Sequence, residues 1–110
     1  MTIRERIQEI QNEVGKGNLT GPRAAELQSI LSALIGNCND EIAQRDYEYN
    51  IVLLDFLDKE EKANRAKIKA EVSPEYRAKI TARNTKELTI ELIRSLKYLI
   101  RSLEEEYQVS

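Results

Sequence analysis

The sequence predicts an all-α protein built on a long antiparallel helical hairpin, with two short N-terminal helices. The first observation is the scarcity of helix breakers, with four Gly and two Pro in 110 residues, as is typical of long helices. The second is that apolar residues recur every three or four positions. The third is one strong turn signal, Ser73-Pro74, between two stretches of similar length, residues 40–72 and 74–107.

The first helix is predicted at the N terminus. Thr2 and Glu5 have the spacing of a capping box, in which each side chain satisfies a backbone N–H at the helix start. The apolar residues that follow are spaced by four, three and four: Ile3, Ile7, Ile10 and Val14. Residues 15–18, Gly-Lys-Gly-Asn, predict the end of this helix.

The second helix is predicted to begin at Thr20-Gly21-Pro22, because proline suits a first helical turn. Its apolar side carries Leu27, Ile30, Leu31, Leu34 and Ile35. Gly36-Asn37 either ends this helix or is tolerated within it, since an isolated glycine costs only about 1 kcal/mol. Residues 1–38 are therefore predicted as an N-terminal helical pair. Cys38 is interpreted as a small buried hydrophobe.

The hairpin is predicted over residues 40–107, with its tip near 73–74, and the whole chain of 110 residues as one domain. No breaker occurs between residues 42 and 72. Residues 51–57 are apolar on more than one side, so we expect them to be covered by the N-terminal helices or by another subunit. The aromatic residues of the arms are predicted to be core: Tyr47, Tyr49, Phe56, Tyr98 and Tyr107.

Basic residues are concentrated around the predicted tip. Nine of the 17 Lys and Arg lie between Lys59 and Lys86, in a chain of net charge −2. A fold-back at Pro74 would place three cations of each arm side by side: Lys62 with Lys86, Arg65 with Arg83, and Lys69 with Lys79. These six residues are the candidate binding site for a polyanion, whereas a solvated tip kept soluble by charge is the simpler interpretation.

Composition argues against most enzyme classes. The chain has no His, a single Cys and no Gly-rich phosphate loop, which excludes the commonest general base and the usual zinc sites. We expect no catalytic residues, no metal and no cofactor. The alternative is a magnesium-dependent helical nucleotide hydrolase using Asp55 and Asp58, with Glu60-Glu61 as a further carboxylate pair. The N terminus lacks an apolar run, so a cytoplasmic protein is expected.

The second half resembles the small helical-hairpin, coiled-coil accessory proteins encoded in the early replication and recombination regions of tailed bacteriophages. The resemblance is carried by residues 58–67, Asp-Lys-Glu-Glu-Lys-Ala-Asn-Arg-Ala-Lys, and by residues 90–103, which run from Ile-Glu-Leu-Ile-Arg to Ile-Arg-Ser-Leu. It implies a non-enzymatic protein that assists recombination or single-strand-binding factors in the host cytoplasm.

Two functions follow as expectations. The first is binding of DNA, or of a DNA-processing protein already on DNA, through the basic tip. The second, suggested by other small helical phage proteins, is inhibition of a host nuclease or defence protein by direct protein binding. A homo-oligomer is expected in either case, because two helices cannot cover such wide apolar stripes.

Overall fold

The computed structural model describes residues 1–60 and 62–109, and the side chains of residues up to 106. It contains four helices: α1 (Ile3–Gly15), α2 (Gly21–Lys59), α3 (Ala63–Glu71) and α4 (Pro74–Val109). No strand occurs in the described part of the chain, which confirms the all-α class. None of the helices over these residues combines the length and apolar content needed to cross a membrane.

The chain divides into two compact units, and the division falls within α2 and α4. Unit 1 comprises Met1–Asn37 and Thr85–Ser110, and unit 2 comprises Cys38–Asn84. Unit 1 thus contains α1, the first part of α2 and the last part of α4. Unit 2 contains the rest of α2, all of α3 and the start of α4.

The core of unit 1 is made by one face of each helical segment. Its buried side chains are Ile7, Ile10, Ala24, Leu27, Leu31, Leu34, Thr85, Thr89, Leu92 and Leu96. The Thr89 hydroxyl donates to the Thr85 backbone carbonyl at 2.8 Å. Arg4 donates to the Thr85 hydroxyl at 3.0 Å and so joins α1 to α4.

A threonine side chain caps the start of each N-terminal helix, as predicted for Thr2. Thr2 accepts a hydrogen bond from the backbone N–H of Glu5 at 3.1 Å, and Thr20 accepts one from that of Arg23 at 3.2 Å. Between the two helices, Gly17 has a φ of +75°, a conformation that glycine adopts without steric cost. The chain can therefore turn there directly after α1.

Helix α2 is not short, and the prediction of a helical pair ending near residue 38 is wrong in this respect. The helix continues through Gly36 to Lys59, over 39 residues. Gly36 is exposed, and its cost of about 1 kcal/mol is opposed by the burial of Leu34 and Cys38 on either side of it. The expected burial of Cys38 is confirmed.

The prediction of an unbroken helix over residues 40–72 is also wrong. Helix α2 ends at Lys59, Lys62 adopts an extended conformation (φ −113°, ψ 126°), and α3 begins at Ala63. All five residues from 58 to 62 are charged, so no apolar side chain holds this stretch against a core. Tertiary packing outweighs helix propensity in deciding where such helices end.

The predicted stop and restart at Ser73-Pro74 is confirmed. The Ser73 hydroxyl donates to the Ala70 carbonyl at 2.6 Å and accepts from the Tyr76 N–H at 3.2 Å. One side chain thus satisfies a terminal carbonyl of α3 and a terminal N–H of α4. Pro74 is the first residue of α4, where its missing N–H costs nothing.

Candidate binding surface on α3

Three of the six predicted site residues lie on α3 or directly before it. Arg65 and Lys69 are four residues apart and so lie on one face of α3, Lys62 immediately precedes the helix, and all three are exposed. Lys69 forms an ion pair with Glu60. Neither Lys62 nor Arg65 forms an ion pair with a carboxylate among the described residues. We call these three residues the α3 basic surface.

Two cations from the predicted return arm are engaged with α2 within unit 2. The ammonium nitrogen of Lys79 lies 4.4 Å from the centroid of the Tyr49 ring, a cation–π geometry. Arg83 forms an ion pair with Asp46 at 3.1 Å. The contacts of both side chains are therefore with α2 residues, and the sequence alone did not reveal these partners.

The sixth predicted residue, Lys86, belongs to unit 1 and is half-buried. The structure thus divides the six residues into an exposed group of three on α3, two with partners on α2, and Lys86 in the other unit. The expectation of two matched basic stripes depended on the unbroken helix over residues 40–72, and that helix does not exist.

Apolar residues lie beside the α3 basic surface. Ile68 and Val72 are 65% and 73% exposed, and they lie four residues apart on the side of α3 away from the buried Ala66 and Ala70. The sequence carries a signal for this exposed pair, because two bulky apolar residues alternate with two alanines over residues 66–72.

Tyr49 anchors the contact between α2 and α4 in unit 2. It is 5% exposed, and its ring centroid lies 5.4 Å from that of Tyr76 at an interplanar angle of 53°. Burial, reinforced by the negative charge of Glu71, raises the pKa of the Tyr49 phenol. The core prediction therefore holds for Tyr49 but is wrong for Tyr47 and Tyr98, which are 63% and 70% exposed; the side chain of Tyr107 lies outside the described residues.

The candidate carboxylates of the hydrolase alternative are not gathered into a metal centre. Asp55 forms an ion pair with Lys59 at 2.9 Å, and both side chains are exposed. Within residues 1–60 and 62–106, no group of three or more potential metal ligands is present. Glu61, one of the predicted carboxylates, lies outside the described residues. Nothing in this arrangement favours magnesium chemistry.

Unit 1 contains a groove of about 800 Å³ between the start of α2 and the last part of α4. It is lined by Thr20, Gly21, Pro22, Ala25, Ile100, Leu103 and Glu104. Among the described residues the lining is mostly apolar, and its charged member is Glu104.

Comparison with protein-family models, with curated proteins and with solved structures finds no match to this chain. The candidate site therefore has to be interpreted from its own geometry and charge.

Proposed function

We propose that this protein is a non-enzymatic phage accessory factor that binds DNA through the α3 basic surface. The observation that carries the proposal is the exposure of Lys62, Arg65 and Lys69 on α3 and directly before it, two of them without an ion pair to any described carboxylate. Exposed cations grouped in this way are suited to contacts with phosphates. The resemblance of the second half to phage accessory proteins supports the same function.

The proposal includes a hairpin shorter than the one predicted over residues 40–107. A connection of two residues, Val72 and Ser73, joins α3 to α4, so α3 and the start of α4 form a short hairpin that presents the basic surface. The exposed Ile68 and Val72 beside the cations supply apolar contact. A DNA-bound protein with an acidic surface would use the same features, and it is the second form of the proposal.

The three cations would neutralise phosphates without reading bases. Arg65 has no ion-pair partner among the described carboxylates to fix its orientation, and sequence readout requires side chains aimed at base edges. Binding is therefore expected to depend strongly on salt and weakly on DNA sequence.

The proposal is tested by charge reversal with a matched control. The triple variant Lys62→Glu, Arg65→Glu, Lys69→Glu is compared with Arg94→Glu, Lys97→Glu, Arg101→Glu, which makes the same change of net charge at exposed positions of α4. Fluorescence anisotropy with labelled single- and double-stranded DNA should show at least a tenfold loss of affinity for the α3 variant and a smaller loss for the control. Equal losses, or none in either variant, would refute binding by the α3 surface.

Inhibition of a host protein remains the alternative proposal, and the exposed apolar side chains of unit 2 favour it over the hydrolase. It predicts a stoichiometric complex with one host nuclease or defence protein in the absence of DNA. Co-purification from host lysate, followed by native mass spectrometry of the complex, distinguishes the two. Recovery of a defined complex together with no DNA affinity would replace the DNA proposal.

A further inference from the structure

Helix α2 carries an apolar stripe that no described part of the chain covers. The stripe consists of Tyr47, Ile51 and Leu54, which are 63%, 48% and 61% exposed. Their spacing of four and three residues places them on one face of the helix. The opposite face of the same segment contains the buried Tyr49, so the stripe faces away from the core of unit 2.

Charged and polar residues extend this face at both ends in a self-complementary way. Tyr47 and Asp58 are eleven residues apart, as are Glu48 and Lys59, and eleven residues correspond to about three helical turns. Each pair therefore lies along one side of the helix. In the first pair the Tyr47 hydroxyl is a hydrogen-bond donor and the Asp58 carboxylate an acceptor. In the second pair Lys59 is a cation and Glu48 an anion.

We infer that two copies of this chain associate through this face of α2, packed antiparallel about a twofold axis near residues 52 and 53. In that arrangement Ile51 of one copy lies opposite Leu54 of the other. The Tyr47 hydroxyl lies opposite the Asp58 carboxylate, and Glu48, at the edge of the face, lies two residues from the position opposite Lys59. A twofold interface requires a surface that complements itself, and the Ile51–Leu54 and Tyr47–Asp58 pairings meet that requirement.

The parallel arrangement is disfavoured by the same residues. It would place Asp58 opposite Asp58 and Lys59 opposite Lys59 of the second copy, and like charges in contact are destabilising. Forming the antiparallel pair would cost little stability even if it broke the ion pairs that Lys59 and Glu48 make within their own chain. The present ion pairs of Lys59 with Asp55 and of Glu48 with Arg45 are exposed or partly exposed, and such pairs contribute little to stability.

The inference does not rest on DNA binding, since no residue of the α3 basic surface takes part in it. The expected homo-oligomer is then an antiparallel dimer, and the second copy covers the exposed apolar residues within 51–57.

The first test is the mass in solution. Analytical ultracentrifugation should give twice the 12.7 kDa of the chain for the wild type, and the chain mass for the double variant Ile51→Glu, Leu54→Glu. Ile68→Glu, an equally exposed apolar position on α3, is the control and should remain dimeric. Circular dichroism should show unchanged helix content in all three proteins. A monomeric wild type would overturn the inference, as would a dimer that survives the double variant.

The second test determines the orientation by disulfide formation under mild oxidation. The native Cys38 is 1% exposed, so introduced cysteines report the interface. A mixture of Ile51→Cys and Leu54→Cys chains should form a mixed disulfide dimer, as should a mixture of Tyr47→Cys and Asp58→Cys chains. Tyr47→Cys alone should form none. Efficient disulfide formation by Tyr47→Cys alone would show a parallel pair and contradict the antiparallel interface.

Discussion

The ammonium group of Lys79 lies 4.4 Å above the centre of the Tyr49 ring, which places a cation of α4 on the aromatic anchor of α2. Tyr49 is buried and also packs against Tyr76. The contact explains why a lysine within the basic block is not available to a ligand. A basic residue identified by charge alone can therefore have a structural role.

Loss of this contact should destabilise unit 2 without weakening DNA binding. Lys79→Gln removes the cation–π interaction, which is worth about 0.5 to 1 kcal/mol at a partly exposed site, and is expected to lower the free energy of unfolding by that amount. Lys67→Gln, an exposed position on α3, is the control for the loss of one charge. Urea titrations of both variants check the difference, and an equal effect would show that the ring contact contributes nothing.

Leu96 should be the most sensitive single position in the α4 part of unit 1. Its side chain is fully buried, so Leu96→Ala leaves a cavity and should cost about 2 to 5 kcal/mol. Tyr98→Ala, at a position 70% exposed, should change the free energy of unfolding by less than about 0.5 kcal/mol. Chemical denaturation followed by circular dichroism measures both. A small effect at Leu96 would mean that the core of unit 1 is not formed as described.

The hydroxyl of Ser73 should matter more than its position in a short connection suggests. Ser73→Ala removes the cap of α4 and the bond to the Ala70 carbonyl, and loss of such a cap costs about 0.5 to 2 kcal/mol. Amide hydrogen exchange should show faster opening of α3 and of the first turn of α4. Ser95→Ala, on the exposed side of α4, should leave the exchange of these amides unchanged.

Acid should weaken the connection between α1 and α2. Arg23 donates two hydrogen bonds to the Glu13 carboxylate, at 2.6 and 2.8 Å, and these bonds hold the pKa of Glu13 below its usual value of 4.5. Because the folded state binds this proton less readily than the unfolded state, the stabilisation is present above 4.5 and is lost as the pH falls through the lower folded-state pKa.

Glu13→Gln should therefore make the acid-induced loss of stability smaller than in the wild type. Melting temperatures measured from neutral pH downward check this, with Glu9→Gln, an exposed position on α1, as the control. A wild type and a Glu13→Gln variant with parallel pH profiles would rule out this ion pair as a source of acid sensitivity. Glu48, whose pKa is lowered by hydrogen bonds from Gln44 and Arg45, would account for part of the dependence that remains.

Local signals in the sequence predicted the helix starts well, because each depends on a few adjacent residues. Thr2 and Ser73 cap the helices that follow them, and α2 begins at Gly21 as Thr20-Gly21-Pro22 predicts. The end of α2 at Lys59 was not predictable in the same way, since no Gly or Pro lies near it. It depends on the absence of apolar residues from 58 to 62 and on the separate burial of Ala66 and Ala70.

The candidate site could be predicted only in part, because charge density does not reveal which cations have partners. Lys62, Arg65 and Lys69 are exposed, and Arg65 and Lys69 share a face of α3 as their spacing suggests. Lys79 and Arg83 contact Tyr49 and Asp46, which are more than 25 residues away in the chain, and only tertiary structure brings them together. Exposed Tyr47 and Tyr98 were misjudged since aromatic residues at helical spacing usually lie in a core.

If Lys62, Arg65 and Lys69 contact phosphates, the affinity for DNA depends on salt concentration through these three residues. The logarithm of the binding constant should fall linearly with the logarithm of salt concentration, with a slope of about −0.9 for each phosphate contacted on duplex DNA. The neutral variant Lys62→Gln, Arg65→Gln, Lys69→Gln should have a slope shallower by roughly 2 to 3 than the wild type. An unchanged slope, or a wild type with no measurable affinity for DNA at low salt, would contradict phosphate binding by these three residues.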